Sequence, residues 1–213
     1  MDSMDSKAHW EQVYRTKRPA EVSWYQSHIL RSLDLIRRVS PPPKGPIIDV
    51  GGGASTLVDD LLDAGYRDLT VLDLSTTALA AARTRLGPRA AAVQWMDADV
   101  LEAPLPRAHY NVWHDRAVFH FLTAEADRAR YVAQVRAAVR PGGYVLVATF
   151  ADDGPTRCSG LEVARYTPES LHAEFGAAFR LLTSEREEHL SPGGARQAFI
   201  YCLCRVQEAQ GAA

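Results

Sequence analysis

Three aspartates and a run of glycines carry the clearest chemistry in this 213-residue chain. The segment Ile47-Ile48-Asp49-Val50-Gly51-Gly52-Gly53-Ala54-Ser55-Thr56 sets an acid and three glycines between an apolar run and the apolar positions Leu57, Val58, Leu61 and Leu62. Glycine accepts positive φ and lets a ligand lie against bare backbone. A helix starting there aims free N–H groups at whatever sits above the turn. Asp49 fits poorly under a pyrophosphate, which it repels, but suits a cation or an amine. Asp73, in Leu69-Thr70-Val71-Leu72-Asp73-Leu74-Ser75, lies about 20 residues past the glycines, where an acid accepts both hydroxyls of a ribose. Asp99, in Trp95-Met96-Asp97-Ala98-Asp99-Val100, suits an exocyclic amine of adenine. The three acids together describe a ligand with a ribose, an adenine and a positive end, and no phosphates. The competing reading is a tight turn with Asp73 beside a helix N-cap. The glycines alone do not decide, because Thr56 stands where the dinucleotide fingerprint has its third glycine.

These residues need elements to hold them, and the sequence supplies a regular set. Apolar runs predict strands at 46–50, 69–73, 91–96, 110–114 and 143–150, with helical patterns at 55–64, 76–86 and 125–139 between them. Strands alternating with helices imply right-handed βαβ units and a parallel sheet. Gly65, Gly87-Pro88 and Pro141-Gly142-Gly143 read as helix stops. Beyond a loop at 151–160, Thr167-Pro168-Glu169-Ser170 starts a helix over 168–175. Strands at 178–186 and 196–205, joined by Ser191-Pro192-Gly193-Gly194, form an antiparallel hairpin. Residues 7–38 read as two helical pieces broken around Pro19, the second carrying Ile29, Leu30, Leu33, Ile36 and Val39.

The motifs Asp49-Val50-Gly51-Gly52-Gly53, Val71-Leu72-Asp73-Leu74-Ser75, Asp99-Val100 and Arg140-Pro141-Gly142-Gly143-Tyr144 occur in an order that resembles the class I S-adenosylmethionine-dependent methyltransferases over roughly residues 45–150. The resemblance implies an α/β fold: a Rossmann-like, seven-stranded, mostly parallel sheet with an antiparallel last strand and helices on both faces. It implies one domain, an S-adenosylmethionine-binding core at 45–213 under an N-terminal helical lid segment at 1–44. Asp49, Gly51 and Gly53 would line the methionine end of the cofactor. Asp73 would bind the ribose, Asp99 and Val100 would bracket the adenine, and Leu74 would pack on its ring.

In that family the end of the fourth strand faces the transferring methyl, which singles out Tyr110-Asn111-Val112-Trp113-His114-Asp115-Arg116-Ala117-Val118-Phe119-His120-Phe121. His114 is expected to touch the cofactor or act as a base, since imidazole changes charge near neutral pH. Asp115 and Arg116 would orient it or bind a charged substrate, with His120 a further substrate contact. A packed His114 ring, an Asp115–Arg116 ion pair and helical packing of His120 explain the same residues without chemistry. Trp24 and Tyr25, beyond the proline break, are expected over the site, Trp24 against cofactor and substrate and Tyr25 against substrate. There they would exclude water, with Lys17 or Arg18 near the methionine carboxylate. Trp10 and Tyr14 read as packing. In the loop after the fifth strand, Cys158 is a candidate substrate contact, while Cys202 and Cys204 read as packed small residues. No metal site is expected.

A formal charge of −2 removes the broad electrostatic case for nucleic acid or an anionic membrane. No apolar run approaches the ~18–20 residues needed to span a bilayer. The polar N-terminus lacks a signal-peptide core, and three cysteines without framework spacing suit a reducing, cytoplasmic setting. Nothing in the sequence specifies an oligomeric state. The expected activity is methyl transfer to an N, O or S nucleophile of a small molecule. A protein-lysine acceptor is the alternative, since the first two motifs also resemble protein-lysine members while the segment after the fourth strand departs from theirs. A nicotinamide-dependent oxidoreductase, disfavoured by Thr56 and Asp49, and a non-catalytic cofactor-binding module complete the set.

Overall fold

The computed structural model describes residues 3–208. In chain order the helices are α1 (Ser3–Thr16), α2 (Leu30–Val39), α3 (Leu57–Asp63), α4 (Thr76–Leu86), α5 (Glu125–Ala138) and α6 (Pro168–Phe175). The strands are β1 (Ile47–Val50), β2 (Leu69–Asp73), β3 (Val93–Asp97), β4 (Tyr110–Arg116), β5 (Val139–Phe150), β6 (Arg157–Cys158), β7 (Leu161–Glu162), β8 (Phe179–Leu190) and β9 (Arg196–Val206). Seven strands form one sheet in the order β3-β2-β1-β4-β5-β9-β8. The first five are parallel, and β9 runs antiparallel to both of its neighbours. β6 and β7 form a separate short hairpin inside what the sequence reads as loop.

Strand alternation divides the core in two. Ile47 points into a cluster with Leu33 and Ile36 of α2, Leu57 and Leu61 of α3 and Leu79 of α4. Ile48 and Val50 point the other way, toward Tyr131 and Val135 of α5 and Leu171 and Phe175 of α6. A strand buried on both faces reads as a continuous apolar run, so Asp49 inside the fully buried β1 is the exception that needs a purpose. The chain reverses from β1 to β4 at the centre of the sheet, which opens a crevice at the carboxyl ends of these strands.

One boundary differs from expectation. The glycines after α5 lie within β5, and the ladder steps from Tyr110↔Val139 to Val112↔Tyr144. Residues 140–143 thus stand opposite Asn111 alone, three more than the ladder needs, and bulge out with Gly142 at φ +75°. Among the described residues, no helix is long and apolar enough to cross a membrane.

Candidate active site

β1 and β2 deliver Asp49 and Asp73 to the two sides of the glycine turn. Gly51 sits at φ +68°, and a Cβ there would come within 2.0 Å of Val118 Cγ2. A Cβ on Gly52 would lie 2.4 Å from Asp49 Oδ2, and one on Gly53 2.5 Å from Asp73 Oδ2. Both carboxylates are therefore pressed against bare backbone. Asp73 Oδ2 accepts the Gly53 N–H at 2.9 Å and its Oδ1 accepts the Ser75 N–H at 2.8 Å. Burial nevertheless pushes its carboxyl up to about 6, against those two donors. Asp49 is held by a chain of side chains. His114 Nδ1 lies 2.7 Å from Asp49 Oδ1, and His114 Nε2 lies 2.8 Å from the Ser32 hydroxyl of α2. The carboxylate accepts, so the ring donates from Nδ1, and Nε2 shares a hydrogen bond with the Ser32 hydroxyl. Asp49 Oδ2, the other oxygen, is buried and has no hydrogen-bond partner among the described residues.

The crevice above this turn is a cavity of about 390 Å³. At one end it is lined by Asp49, Gly51, Gly52, Asp73, Leu74, Asp99 and Val100. Asp99 Oδ1 accepts the Leu101 N–H at 2.9 Å, which fixes the turn after β3. Away from the glycines the lining is Trp24, Tyr25, Arg116, Phe121 and Cys158, with Tyr14 between, close enough to feel both Asp73 and Cys158. α1 crosses the opening. Its Glu11 takes the Thr77 hydroxyl and N–H at the start of α4, and Lys7 pairs with Asp97 at 2.7 Å. Trp10 stacks edge-on against Trp24 at 5.7 Å and Phe121 at 5.1 Å, closing an aromatic wall.

Several expected residues lie elsewhere. Asp115 follows His114 on β4 and so turns to the opposite face. There it accepts from Val118 N–H, Phe119 N–H and the Tyr131 hydroxyl at 2.9, 3.0 and 2.6 Å. It is fully buried and holds the turn after β4, so it does not reach the cavity. His120 is fully buried between Phe121 and Phe150, ring centroids 4.4 and 4.7 Å away, also off the cavity. Burial pushes its imidazole down to about 3, and neither ring nitrogen has a hydrogen-bond partner among the described residues. Gly53 stands behind the lining, its N–H spent on Asp73. Lys17 and Arg18 are exposed and off the lining, and Arg18 pairs with Glu21.

Cys158 does line the cavity, and burial pushes its thiol up to about 11. Cys202 and Cys204 are buried in β9 with thiols pushed up to about 12 by burial, and all three cysteines are free. No group of three metal-binding side chains occurs among the described residues. Two contributors escape the sequence reading. Tyr14 lines the cavity, with its hydroxyl shifted upward by burial and by Asp73. Ser32 is wholly buried; a serine among Ile29, Leu33 and Ile36 on one helix face was the available signal.

Residues 47–143 match the family described as methyltransferase domain. Over these residues the chain carries a methyltransferase domain. The cofactor of these enzymes is S-adenosylmethionine, and the site suits it: a buried carboxylate oxygen of Asp49 without a hydrogen-bond partner among the described residues stands beside a glycine cradle. The eEF1A lysine and N-terminal methyltransferase of Danio rerio is 22% identical over 211 residues, covering 98% of this chain but 29% of that protein. Its Homo sapiens counterpart is 24% identical over 149 residues, 67% of this chain and 21% of that one. The chain thus spans less than a third of the length of these curated relatives. Among solved structures, 1,6-didemethyltoxoflavin-N1-methyltransferase of Burkholderia thailandensis, bound to 1,6-didemethyltoxoflavin and S-adenosylhomocysteine, superposes with TM-score 0.69 at 20% identity over 98% of this chain and 92% of its own. A structure from work on converting a disulfide bond into a thioacetal group during echinomycin biosynthesis superposes at TM-score 0.76 and 16% identity, covering 97% and 95% of the two chains. The methyltransferase fold therefore extends well beyond the matched residues, through α1 and β9.

Proposed function

We propose that this chain methylates a small molecule at a nitrogen, oxygen or sulfur nucleophile inside the cavity under α1. S-adenosylmethionine, when bound, supplies an electrophilic methyl group on a sulfonium. Asp73 accepts the ribose hydroxyls, Asp49 Oδ2 accepts from the methionine ammonium, and Asp99 with Val100 and Leu74 holds the adenine. The Ser32–His114 pair keeps Asp49 turned toward the ammonium. Of the N-terminal segment, α1 and the stretch through Tyr25 act as the lid while α2 belongs to the core, and the aromatic wall of Trp10, Tyr14, Trp24 and Phe121 excludes water.

The histidines and the cysteine singled out by the sequence do not stand ready as general bases. Both His114 nitrogens are occupied, His120 is sealed off, and Cys158 is held as a thiol. The chain then acts by alignment of an acceptor that arrives with its lone pair free. The position of α1 carries this reading, because its Trp10 joins Trp24 and Phe121 in an aromatic wall on the cavity, a lining that favours a small acceptor.

A second reading, a protein acceptor, is supported by the names of the curated relatives. Three free, buried thiols suit a reducing cytoplasm. Calorimetry with S-adenosylhomocysteine and NAD tests the cofactor. Binding of NAD alone would end the methyltransferase reading. Incubating extract with methyl-labelled cofactor and separating small molecules from protein tests the acceptor. Label confined to protein would shift the assignment to the second reading.

A further inference from the structure

Arg116 ends β4 and lines the cavity with its side chain only 7% exposed. Its fork is fixed on three sides. Nε donates to the Tyr201 hydroxyl at 3.0 Å, Nη1 donates to the Trp24 carbonyl at 3.1 Å, and the guanidinium lies over the Phe199 ring at 4.3 Å. Nη2 has no hydrogen-bond partner among the described residues. The nearest carboxylate, Glu187, stands 3.9 Å from Nη2, and the Tyr201 hydroxyl already donates to the same Glu187 oxygen at 2.8 Å. Two N–H donors of a buried cation are thus left without an acceptor, an arrangement that costs more than an unpaired neutral group.

The surrounding charge has a direction. Asp49, Asp73 and Asp99 line the cavity beside the glycine turn, while Cys158 feels the positive charge of Arg116 and, from outside the lining, of Lys17; the hairpin carboxylate Glu162 is exposed and faces Arg157. A substrate ammonium beside Arg116 would meet like charge, whereas an oxyanion would complete the fork with charge-assisted bonds. The anion would also point its molecule, since the acidic end repels it and the basic end holds it.

Resting on the methyltransferase reading above, we propose that Arg116 selects the acceptor by binding a carboxylate on it through Nη2. Tyr201, Phe199 and the Trp24 carbonyl hold the fork in place, and Glu187 competes weakly for it. Such an acceptor would be an aromatic or aliphatic acid carrying its nucleophile on the side away from the carboxylate.

Calorimetric titration of the S-adenosylhomocysteine-saturated protein with benzoate and with benzamide, equal in shape and different in charge, tests this. Benzoate is expected to bind about tenfold more tightly, Arg116→Gln to erase the difference, and Glu187→Gln to raise benzoate affinity about threefold by removing the competitor. A purely structural Arg116–Glu187 pair predicts the opposite sign for Glu187→Gln. Equal binding of the two probes, binding of neither, or a benzoate advantage that survives Arg116→Gln would overturn the proposal. If Arg116→Gln fails to fold, a fall in benzoate affinity in Glu187→Gln overturns it instead. Wild-type protein that does not bind S-adenosylhomocysteine overturns the methyltransferase reading and this one together. Binding of that ligand without benzoate preference overturns this one alone.

Discussion

At the cofactor end, Asp49 and Asp73 sit on neighbouring parallel strands and are gripped by nearby backbone and one histidine. At the acceptor end, Tyr14, Trp24, Arg116 and Cys158 arrive from four separate segments and meet through rings and one shared carbonyl. The first end is polar and set by the sheet. The second is mostly aromatic and set by how α1 and the 157–162 hairpin fold back over it. Affinity for the cofactor should therefore depend on a few hydrogen bonds, and choice of acceptor on packing and a single charge.

Substitutions can break or sharpen that contrast. Asp73→Ala carries the largest expected effect, a loss of about 1–3 kcal/mol in S-adenosylhomocysteine affinity by calorimetry, because donors on a buried ligand lose their acceptor. Unchanged affinity would move the ribose away from Asp73. His114→Ala is next, at about tenfold weaker binding, since it frees Asp49 to turn; slower turnover at full cofactor affinity would instead restore His114 as a base.

pH separates the ends further. Asp73 titrates at about 6 because burial raises it. The ribose hydroxyls need the ionised form, so affinity should hold above pH 6 and fall up to about tenfold per unit below it. A flat profile from pH 7 to 5 would contradict this.

The smallest effect concerns the foundation of both ends. Asp60 of α3 accepts from Ile29 N–H at 2.9 Å and lies 2.7 Å from His28 Nδ1, fixing the start of α2, which carries Ser32. The bond to Asp60 raises the exposed His28 above its ordinary value. A raised histidine contributes its stability in full below the unfolded value of about 6.5 and loses it as pH rises through the folded one. Melting curves of His28→Gln should show a small deficit at pH 5.5 that vanishes by pH 8.5, modest because the ring is exposed.

The cofactor end was legible in the sequence because parallel strands place residues at fixed offsets. Asp49, Asp73 and Asp99 each follow a short apolar run, and each lines the cavity. The parallel strands followed from the alternation of apolar runs with helical patterns, and the antiparallel β9 from the Ser191-Pro192-Gly193-Gly194 turn together with the family resemblance. The acceptor end was less legible. Adjacent residues on β4 face opposite ways, so His-Asp-Arg reads as one motif while the fold splits it, His114 and Arg116 toward the cavity and Asp115 behind. Tyr14 looked like packing because nothing local says that α1 crosses a mouth rather than a core.

The glycine turn has a consequence for how this chain can change. Gly52 is shaped around an oxygen of Asp49, and Gly53 around an oxygen of Asp73, 20 residues away. An alanine at either position collides with its carboxylate and forces it to move. Each glycine and its acid are thus a single heritable unit: a side chain gained at the glycine displaces the acid, so neither position can change without consequence for the other.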